Sequence, residues 1–415
     1  MRDNNIRRFI GIPDHSVKGI HFLDRKGNRT ESDNEVERVV IELARINREY
    51  RCGCGRAFGT YYDCRMRKVR DLPWGPWRKV ELLFPRYRVV CPACGVRTEA
   101  LDWIPAGRGY TKRLADTVAL ACREVRSISA IAEAFNMNWH TVKEIDKTAL
   151  ETELNPPDFS GVKRLALDEF SIRKRHTYGT IFLDVDRSRV LWVCATRGCQ
   201  AVVDVFENVF GKDVCEGIEA VSMDMWDPYE KAVSQCLPNA VVVWDLFHIV
   251  RKYNHDVIDR IRLDEAKKCQ TNEERMLMKK TKFILVKNRR NLVHDEPARL
   301  EELLKVNRKL NAAYILRDAL KHLWECTDQF DAVMWFHGWY ERAVRSRVEP
   351  LVTFARAMKK RIGGILSHCS HPISNGLLEG INNKVKVIKR VAYGYRDQDY
   401  FFLRIRGHFH GTTPH

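Results

Sequence analysis

The fold that this sequence predicts is decided by the stretch Val162-Lys163-Arg164-Leu165-Ala166-Leu167-Asp168-Glu169. It is a short apolar run that follows the chain-breaking pair Pro156-Pro157 and leads into two carboxylates. Two further apolar runs follow, at residues 178–185 and 189–195, joined by a short turn. Short apolar runs bounded by turn residues are typical of buried strands. We therefore predict three meandering strands, with Asp168 at the end of the first.

Helices and strands alternate in the next part of the chain. Helices are expected at about residues 200–210 and 229–236, and strands at residues 218–223 and 240–244, of which the second is predicted to be fully buried. These two strands end at Asp224 and Asp245, and α/β sheets place their functional sites at such strand ends. The order of elements is that of an RNase H-like core. The predicted fold class is multidomain α+β: a small zinc ribbon, a helix-turn-helix and an RNase H-like α/β catalytic core interrupted by an all-α insertion.

The length of 415 residues is too great for one typical core, so several domains are expected. We predict an N-terminal zinc-ribbon DNA-binding domain at 1–108 and a helix-turn-helix at 109–155. The first part of the catalytic core covers 156–252 and the helical insertion 253–365. The last part of the core, at 366–415, carries a glutamate-bearing helix and a last helix at about residues 399–406, on which Arg404 and Arg406 are expected to be exposed.

The composition favours a DNA-binding protein. There are 71 Lys and Arg against 54 Asp and Glu, a net charge of +17, which suits a polyanionic partner. Residues 1–10 are polar and basic, unlike a secretory signal, and the longest apolar run, 240–244, is too short to span a bilayer. We expect a cytoplasmic, nucleoid-associated protein with no membrane partner. Its thirteen cysteines are then better explained by metal binding than by disulfides.

Two close cysteine pairs predict one structural zinc ion. They are Cys52-Gly53-Cys54-Gly55 and Cys91-Pro92-Ala93-Cys94-Gly95. A glycine after each pair lets the backbone turn around the thiolates, and four thiolates satisfy tetrahedral zinc. The first pair has only one intervening residue, so Cys64 is an alternative to Cys52. Unmetallated core cysteines are the competing interpretation.

A helix-turn-helix is predicted at residues 129–145, where two amphipathic segments flank Asn136-Met137-Asn138. The second helix would present His140, Thr141, Lys143 and Lys147 to a major groove, although any helical hairpin gives a similar pattern. Basic residues also lie between the cysteine pairs, where they suit either DNA backbone contact or a solvated face; they are Arg65, Arg67, Lys68, Arg70, Arg78 and Lys79.

A third stretch, Ser374-Asn375-Gly376-Leu377-Leu378-Glu379-Gly380-Ile381-Asn382-Asn383-Lys384-Val385-Lys386, predicts a helix that begins at the N-cap Ser374. Its apolar stripe is Leu377, Ile381, Val385 and Ile388. Glu379 lies on a different face, as do the predicted DNA contacts, which are Asn375, Asn383, Lys386 and Arg390. The alternative is an ordinary amphipathic helix with a solvated basic face.

Three carboxylates predict a metal-dependent active site. Asp168, Asp224 and Glu379 offer hard oxygen ligands without nearby His or Cys partners, which suits Mg²⁺ or Mn²⁺. Two such ions, about 3.5–4 Å apart, can clamp an in-line phosphoryl displacement. Asp245 is the rival ligand, because it also ends a predicted strand. His248 could orient a carboxylate or a phosphate, or be a satisfied core histidine.

These motifs resemble those of the DDE transposases of bacterial insertion sequences, of the ISL-three family. The matching stretches are Arg70-Asp71-Leu72-Pro73, Cys91-Pro92-Ala93-Cys94, the helix-turn-helix, Leu167-Asp168-Glu169, Met223-Asp224-Met225, Asp245-Leu246-Phe247-His248 and Asn375-Gly376-Leu377-Leu378-Glu379-Gly380-Ile381-Asn382. The resemblance implies that Asp168, Asp224 and Glu379 are the acidic triad of an RNase H-like fold. The spacing Cys52-Gly53-Cys54 departs from the family, whose first pair usually has two intervening residues.

The function implied by the resemblance is DNA transposition. The N-terminal modules would bind the terminal inverted repeats of an insertion sequence. A homo-oligomer, expected to be a dimer, would cut the double-stranded DNA with two Mg²⁺ (or Mn²⁺) ions per active site and join the ends to target DNA. Two alternatives stay open: a structure-specific RNase H-like nuclease, and a DNA-binding regulator with an inactive core.

Overall fold

The computed structural model describes residues 11–173, 177–287, 289–373 and 375–410. The chain divides into two compact units, the first of Met1–Asn155 with Val387–Arg396 and the second of Pro156–Lys386 with Asp397–His415. The finer division into five segments stays a prediction. Within the described ranges, no helix is both long enough and apolar enough to cross a membrane. The expectations for residues 1–10 and for the N-cap Ser374 lie outside the described residues.

The first unit contains a mixed sheet with the strand order β1-β2-β6-β5. Strand β1 (His15–Leu23) pairs antiparallel with β2 (Arg38–Arg45), and β2 runs parallel to β6 (Val80–Cys91). Strands β5 (Asp63–Asp71) and β7 (Gly95–Thr98) both pair antiparallel with β6, and β3 (Tyr50–Arg51) with β4 (Ala57–Phe58) forms a small hairpin. In β2, Val39, Ile41 and Leu43 are buried in the core of this unit, and Val40 is buried as well.

Three helices complete the N-terminal part of this unit: α1 (Lys112–Cys122), α2 (Ile128–Ala134) and α3 (Trp139–Leu154). Each begins at a polar N-cap, of which Asn138 accepts a hydrogen bond from the backbone N–H of His140 at 2.8 Å. Asn136 has φ 47°, a left-handed conformation that asparagine tolerates and that turns the chain between α2 and α3. The predicted helix-turn-helix is therefore present, with a buried core of Leu114, Val118, Ile131, Val142 and Ile145.

The second unit is built on a sheet with the strand order β10-β9-β8-β11-β12. The strands are β8 (Arg164–Arg173), β9 (Thr177–Asp184), β10 (Arg189–Cys194), β11 (Ala220–Met223) and β12 (Val241–Trp244). The first three form an antiparallel meander, and β8, β11 and β12 run parallel. The predicted order of three meandering strands followed by two more is confirmed.

Two strand predictions were wrong in detail. Asp168 does not end β8, because the hairpin with β9 extends the strand as far as Arg173. The parallel pairing with β11, however, stops at Ala166, so Asp168 lies where β8 loses one of its two neighbours. Strand β12 is not fully buried either: it lies at the sheet edge, and Val241 is 41% exposed.

The helices of this unit come in three groups. Around the sheet lie α4 (Cys199–Val205), continued by a π-helical turn Phe206–Phe210, then α5 (Lys212–Gly217) and α6 (Asp227–Cys236). The helical segment comprises α7 (Leu246–Tyr253), a π-helical turn Asn254–Asp259, α8 (Arg260–Lys268), α9 (Asn272–Lys280), α10 (Lys282–Val286), α11 (Glu296–Val306), α12 (Arg308–Lys321), α13 (Gln329–Arg345), α14 (Glu349–Lys360) and α15 (Ile362–Leu366). The chain then forms α16 (Asn375–Val391), whose last residues belong to the first unit, and α17 (Gln398–His408).

The helical segment is not a separate globule, because it shares one hydrophobic core with the sheet. That core runs from Val162 through the sheet to Leu366. A Cβ atom on Gly364 would lie 2.4 Å from the indole nitrogen of Trp244, so the absence of a side chain lets α15 approach β12 closely. In α17, Arg404 and Arg406, which the sequence pattern suggested were exposed, are buried, and the Arg406 guanidinium lies over the Trp192 ring.

Candidate functional site

Asp168 is a buried carboxylate held on two sides. It is 6% exposed, and its Oδ1 accepts a hydrogen bond from the backbone N–H of Glu169 at 2.7 Å. Its Oδ2 accepts from the amide Nδ2 of Asn382 at 2.5 Å, a bond between residues 214 positions apart. Burial raises the pKa of Asp168 to about 6, although His248 acts in the opposite direction. Its environment therefore disfavours the charge of this carboxylate unless a cation offsets it.

His248 is the centre of what we call the acidic group, which comprises Asp168, Asp224, Asp245 and His248. Asp245 caps α7 through its Oδ1, and its Oδ2 lies 3.1 Å from Nδ1 of His248. Burial opposes the protonation of His248, yet the hydrogen bond to Asp245 and the negative charges of Asp224, Asp245 and Asp168 raise its pKa. The three neighbouring carboxylates therefore favour the protonated form of His248. The partner of its Nδ1 is a carboxylate, not a backbone carbonyl.

Asp224 directly follows β11, as the sequence predicted, and is half-buried. Its backbone oxygen accepts a hydrogen bond from the N–H of Trp226 at 2.7 Å, which tightens the turn into α6. Asp168 lies on β8, and Asp224 directly follows the neighbouring parallel strand β11. Both residues are near the point where the pairing of β8 with β11 ends.

Glu379 is exposed and lies on α16, three residues before Asn382. Residues three apart share a helix face, about 5–6 Å from each other at Cβ. The helix that reaches Asp168 through Asn382 therefore carries Glu379 on the same side, one turn earlier. Within the described part of the chain, Asp168, Asp224 and Glu379 do not form a group as close as the cysteines described below.

The other faces of α16 agree with the sequence prediction at most of the described positions. Its buried stripe is Leu378, Ile381, Val385 and Ile388, so Leu378 replaces the predicted Leu377, which is only half-buried. The predicted DNA contacts Asn383, Lys386 and Arg390 are exposed, and Lys386 donates to the Asn383 side chain at 3.2 Å. The side chain of Asn375, the remaining predicted contact on this helix, is outside the described atoms.

In the first unit, four cysteines come together into what we call the cysteine group: Cys52, Cys54, Cys91 and Cys94. Their sulfur atoms all lie within 4.8 Å of one another, and those of Cys54 and Cys91 are 3.7 Å apart. Sulfurs about 2.3 Å from a tetrahedral zinc ion would be separated by nearly this distance. Cys64, the alternative ligand, is exposed on β5 outside the group. The cysteine group could therefore hold one zinc ion.

Backbone turns shape the cysteine group. Gly55 has φ 90° and Gly95 has φ 75°, left-handed values that close the turn after each cysteine pair. Burial disfavours the Cys91 thiolate, yet the backbone N–H groups of Ala93 and Cys94 and the neighbouring thiols lower its pKa to about 7. The short spacing between Cys52 and Cys54 is accommodated because the β3–β4 hairpin supplies the turn, with Cys52 bonded to the carbonyl oxygen of Arg56.

The predicted DNA-contacting residues of α3 are located on its first two turns and just beyond. His140 is exposed, whereas Thr141, Lys143 and Lys147 are half-buried. The Lys143 ammonium lies 6.0 Å from the centre of the Trp139 ring. Arg65 and Arg67 are exposed on β5, as expected for residues of a solvated or DNA-facing strand.

Arg70, grouped by its charge with the exposed basic residues, has a different position. Its guanidinium donates to the carbonyl oxygens of Phe135 at 3.0 Å and Asn136 at 3.2 Å, and to that of Arg78 at 3.2 Å. It therefore fastens the turn between α2 and α3 to strand β5. Next to it, buried Asp71 accepts from Thr111 at 2.7 Å and from Arg113, which fixes the start of α1.

Sequence reasoning did not select Asn382 or Arg70 as site residues. Asn382 had a usable signal, because it lies three residues after Glu379 and so on the same helix face. Arg70 had none, because an arginine that donates to backbone carbonyls 65 and 66 residues away looks the same in sequence as one on the surface.

Comparison with known proteins gives matches over both units. A family model described as a transposase matches residues 165–405, and one described as the helix-turn-helix domain of transposase family ISL3 matches residues 99–150. The chain is 40% identical over 365 residues to the transposase for insertion sequence element IS1001 of Bordetella parapertussis, covering 87% of this chain and 88% of that protein. It is 28% identical over 374 residues to the transposase for insertion sequence element IS1557 of Mycobacterium tuberculosis, covering 83% of this chain and 82% of the relative.

Proposed function

Because this chain belongs to the ISL3 family of transposases, we propose that Asp168, Asp224 and Glu379 are the catalytic carboxylates of its DNA strand cleavage and strand transfer. The chain is a transposase, an enzyme that acts on DNA, with a helix-turn-helix DNA-binding domain and a DDE transposase domain. One observation carries the assignment: the 2.5 Å bond from Asn382 to Asp168, which ties the helix of Glu379 to the sheet that carries both aspartates.

The fold supports this assignment. An antiparallel meander extended by two parallel strands is the arrangement expected of an RNase H-like core, and we propose that identity for the sheet of the second unit. The carboxylates are hard oxygen ligands, and the raised pKa of Asp168 marks a site that a cation would stabilise. They therefore fit Mg²⁺ or Mn²⁺, and we propose that each active site binds two such ions. When bound, such ions polarise the reacting phosphate and activate water or a DNA 3′-hydroxyl.

The residues of the chain itself position the reacting groups. Asn382 and the backbone N–H of Glu169 fix the two oxygens of Asp168, so its carboxylate cannot rotate. His248, held by Asp245, contributes positive charge beside Asp168 and Asp224 and acts as a positioning residue. In cleavage, a water oxygen attacks phosphorus and the 3′-oxygen leaves with a proton. In strand transfer, that 3′-hydroxyl loses its proton as its oxygen attacks a target phosphorus, and the 3′-oxygen of the target strand leaves with a proton.

The first unit is proposed to recognise the terminal inverted repeats. The contacts would come from His140, Thr141, Lys143 and Lys147 of α3, with Arg65 and Arg67 on the DNA backbone. The exposed face of α16, most of which belongs to the second unit, would add further contacts. The cysteine group would hold one structural zinc ion. Because two element ends must be cut and joined together, we further propose a homodimer on DNA, working in the cytoplasm at the nucleoid.

The test is a cleavage and joining assay on a labelled duplex carrying the terminal repeat of the element that encodes the chain. Wild type and Asp168→Asn are compared with Mg²⁺, with Ca²⁺ and without divalent cations. Nicking at the repeat end by wild type with Mg²⁺, and not by the variant, is the expected result. Equal nicking by both proteins would overturn the assignment of Asp168. If the protein cleaves the duplex but does not join pre-cut ends to target DNA, the alternative of a nuclease without strand transfer is favoured.

A further inference from the structure

Four side chains form a layered cluster next to Asp224, which we call the Trp226 cluster: Glu169, Tyr178, Arg197 and Trp226. The guanidinium carbon of Arg197 lies 4.7 Å from the ring centre of Tyr178 and 4.7 Å from that of Trp226. The carboxylate of Glu169 accepts a hydrogen bond from Nη1 of the same arginine. The planar cation is thus oriented by two rings and one carboxylate.

Trp226 is fixed in place and yet partly open to solvent. Its indole N–H lies 3.4 Å from the backbone oxygen of Arg197, and its backbone N–H is bonded to Asp224. Its exposed fraction is 38%. An isolated exposed apolar side chain is normal in a protein. An indole held by a cation, a hydrogen bond and a tight turn is different, because it offers a rigid aromatic surface at little cost in conformational entropy.

The burial of Asp168 in the acidic group limits which form of DNA can reach the site beside the Trp226 indole. A reacting phosphate must approach Asp168, which is 6% exposed. An intact duplex presents its phosphates on the outside of a wide helix, so a single strand reaches such a buried carboxylate more easily. Drawing a strand out of the duplex leaves a base unpaired, and that base needs a new stacking partner. Every base has an aromatic face, so stacking tolerates any sequence at the position.

We propose that Trp226 stacks on the unpaired nucleobase next to the phosphate that reacts, and that Arg197 and Glu169 are positioning residues that hold the indole for it. The proposal rests on the proposed function of Asp224 and Asp168. It adds a binding residue whose role is to keep the cut strand separated from its complement, independent of the recognition of the repeat by the first unit.

The test uses the full-length protein and a terminal-repeat duplex with 2-aminopurine substituted, one position at a time, at the nucleotides flanking the cut. Ca²⁺ replaces Mg²⁺, so that binding is read without cleavage. Wild type is expected to quench the fluorescence of one unpaired 2-aminopurine by stacking. Trp226→Ala should lose that quenching while its affinity for the duplex stays within about three-fold, and Trp226→Phe should keep most of it. With Mg²⁺, Trp226→Ala should cut about ten-fold more slowly, the effect of losing one stacked base.

The matched control is Trp335→Ala. Trp335 is also 38% exposed and also donates its indole N–H to a backbone oxygen, that of Ala319, but it lies on α13 in the helical segment. This control should behave as wild type in quenching and cleavage. Arg197→Ala should reduce quenching even though Trp226 is still present. A far-ultraviolet circular dichroism spectrum and a melting temperature like those of wild type would exclude misfolding of this variant.

Two results would overturn the proposal. One is full quenching by a folded Trp226→Ala protein, and the other is equal loss in Trp226→Ala and Trp335→Ala. Failure of the proposed function would look different: wild type would bind the duplex and quench the probe, yet would not cut in Mg²⁺.

Discussion

The cysteine group of the first unit and the acidic group of the second are both candidate metal sites, yet they are assembled to different degrees. The four sulfurs lie within 4.8 Å of one another, whereas the described carboxylates of Asp168, Asp224 and Glu379 do not gather so closely. Most thiols lose their protons only above neutral pH, although the pKa of Cys91 is lowered to about 7, so four of them can meet without a cation, while carboxylates repel one another. The negative charges of Asp224 and Asp168 raise the pKa of the nearby His248, but burial still keeps the pKa of Asp168 raised.

The difference indicates two separate roles for metal. A closed set of four thiolates is typical of a structural site, where metal binding contributes directly to folding. An open set of carboxylates is typical of Mg²⁺, which binds through one or two of them together with the phosphates of the substrate. The first ion would therefore be present before DNA arrives, and the second would arrive with it. Substitutions at the two sites are therefore expected to have different effects on stability, cleavage and DNA binding.

Removal of zinc should unfold the region of the cysteine group. Structural zinc contributes on the order of 10 kcal/mol to small metal domains, so Cys94→Ser should lose the metal and much of the stability of the first unit. The measurement is metal content by mass spectrometry with thermal unfolding. The control, Cys64→Ser, should retain one zinc per chain, because Cys64 lies outside the group. Equal zinc content in both variants would contradict the ligand set.

Glu379→Gln should abolish cleavage without changing the fold. The loss of one catalytic carboxylate is expected to slow cleavage by at least about 10³-fold, equivalent to roughly 4 kcal/mol, while terminal-repeat binding is retained. Initial cleavage rates and gel-shift affinities measure the two effects. The control is Glu302→Gln, an exposed glutamate on α11. A Glu379→Gln protein that cuts at the wild-type rate would remove Glu379 from the site.

Asp168→Asn should stabilise the protein in Mg²⁺-free buffer, an effect opposite in sign to that of Cys94→Ser. The pKa of Asp168 is raised from 3.8 to about 6 in the fold, so wild type loses stability as the pH rises through this interval. At pH 7 the variant should be more stable by about 3 kcal/mol, and below about pH 4 the two proteins should converge. Denaturant unfolding from pH 3.5 to 8 measures the difference. A variant less stable than wild type at pH 7 would show that the carboxylate is already balanced without metal.

Lys143→Ala should have the smallest effect and should act on binding alone. If Lys143 contacts one phosphate, its loss lowers affinity a few-fold and reduces the slope of log affinity against log salt by about 1. Cleavage at saturating protein should be unchanged, because the acidic group is unaltered. Titrations at several salt concentrations test this. An unchanged slope would place Lys143 away from the DNA backbone.

The sequence predicted the features that depend on neighbouring residues and missed those that depend on contacts between distant parts of the chain. Local patterns were sufficient for the helix-turn-helix, whose caps and apolar spacing lie within a few residues, and for the order of strands in the second unit. The length of β8 was missed because the pairing with β9, not the apolar run, decides where the strand ends. Arg406 was expected at the surface, since its contact with Trp192 depends on how α17 packs on β10. The bond from Asn382 to Asp168 depends in the same way on the tertiary fold.

That bond also has a consequence in time. Ribosomes add roughly 5–20 residues per second, and Asn382 is made 214 residues after Asp168, on the order of 10 to 40 s later. For that interval the nascent chain already has its cysteine group, its helix-turn-helix and the β8 strand, but not the helix that carries Glu379. If the first unit binds element ends and cutting requires Glu379, as proposed, a growing or prematurely terminated chain would occupy those ends without cutting them. Incomplete synthesis would then yield a competitor of the enzyme instead of a partial nuclease.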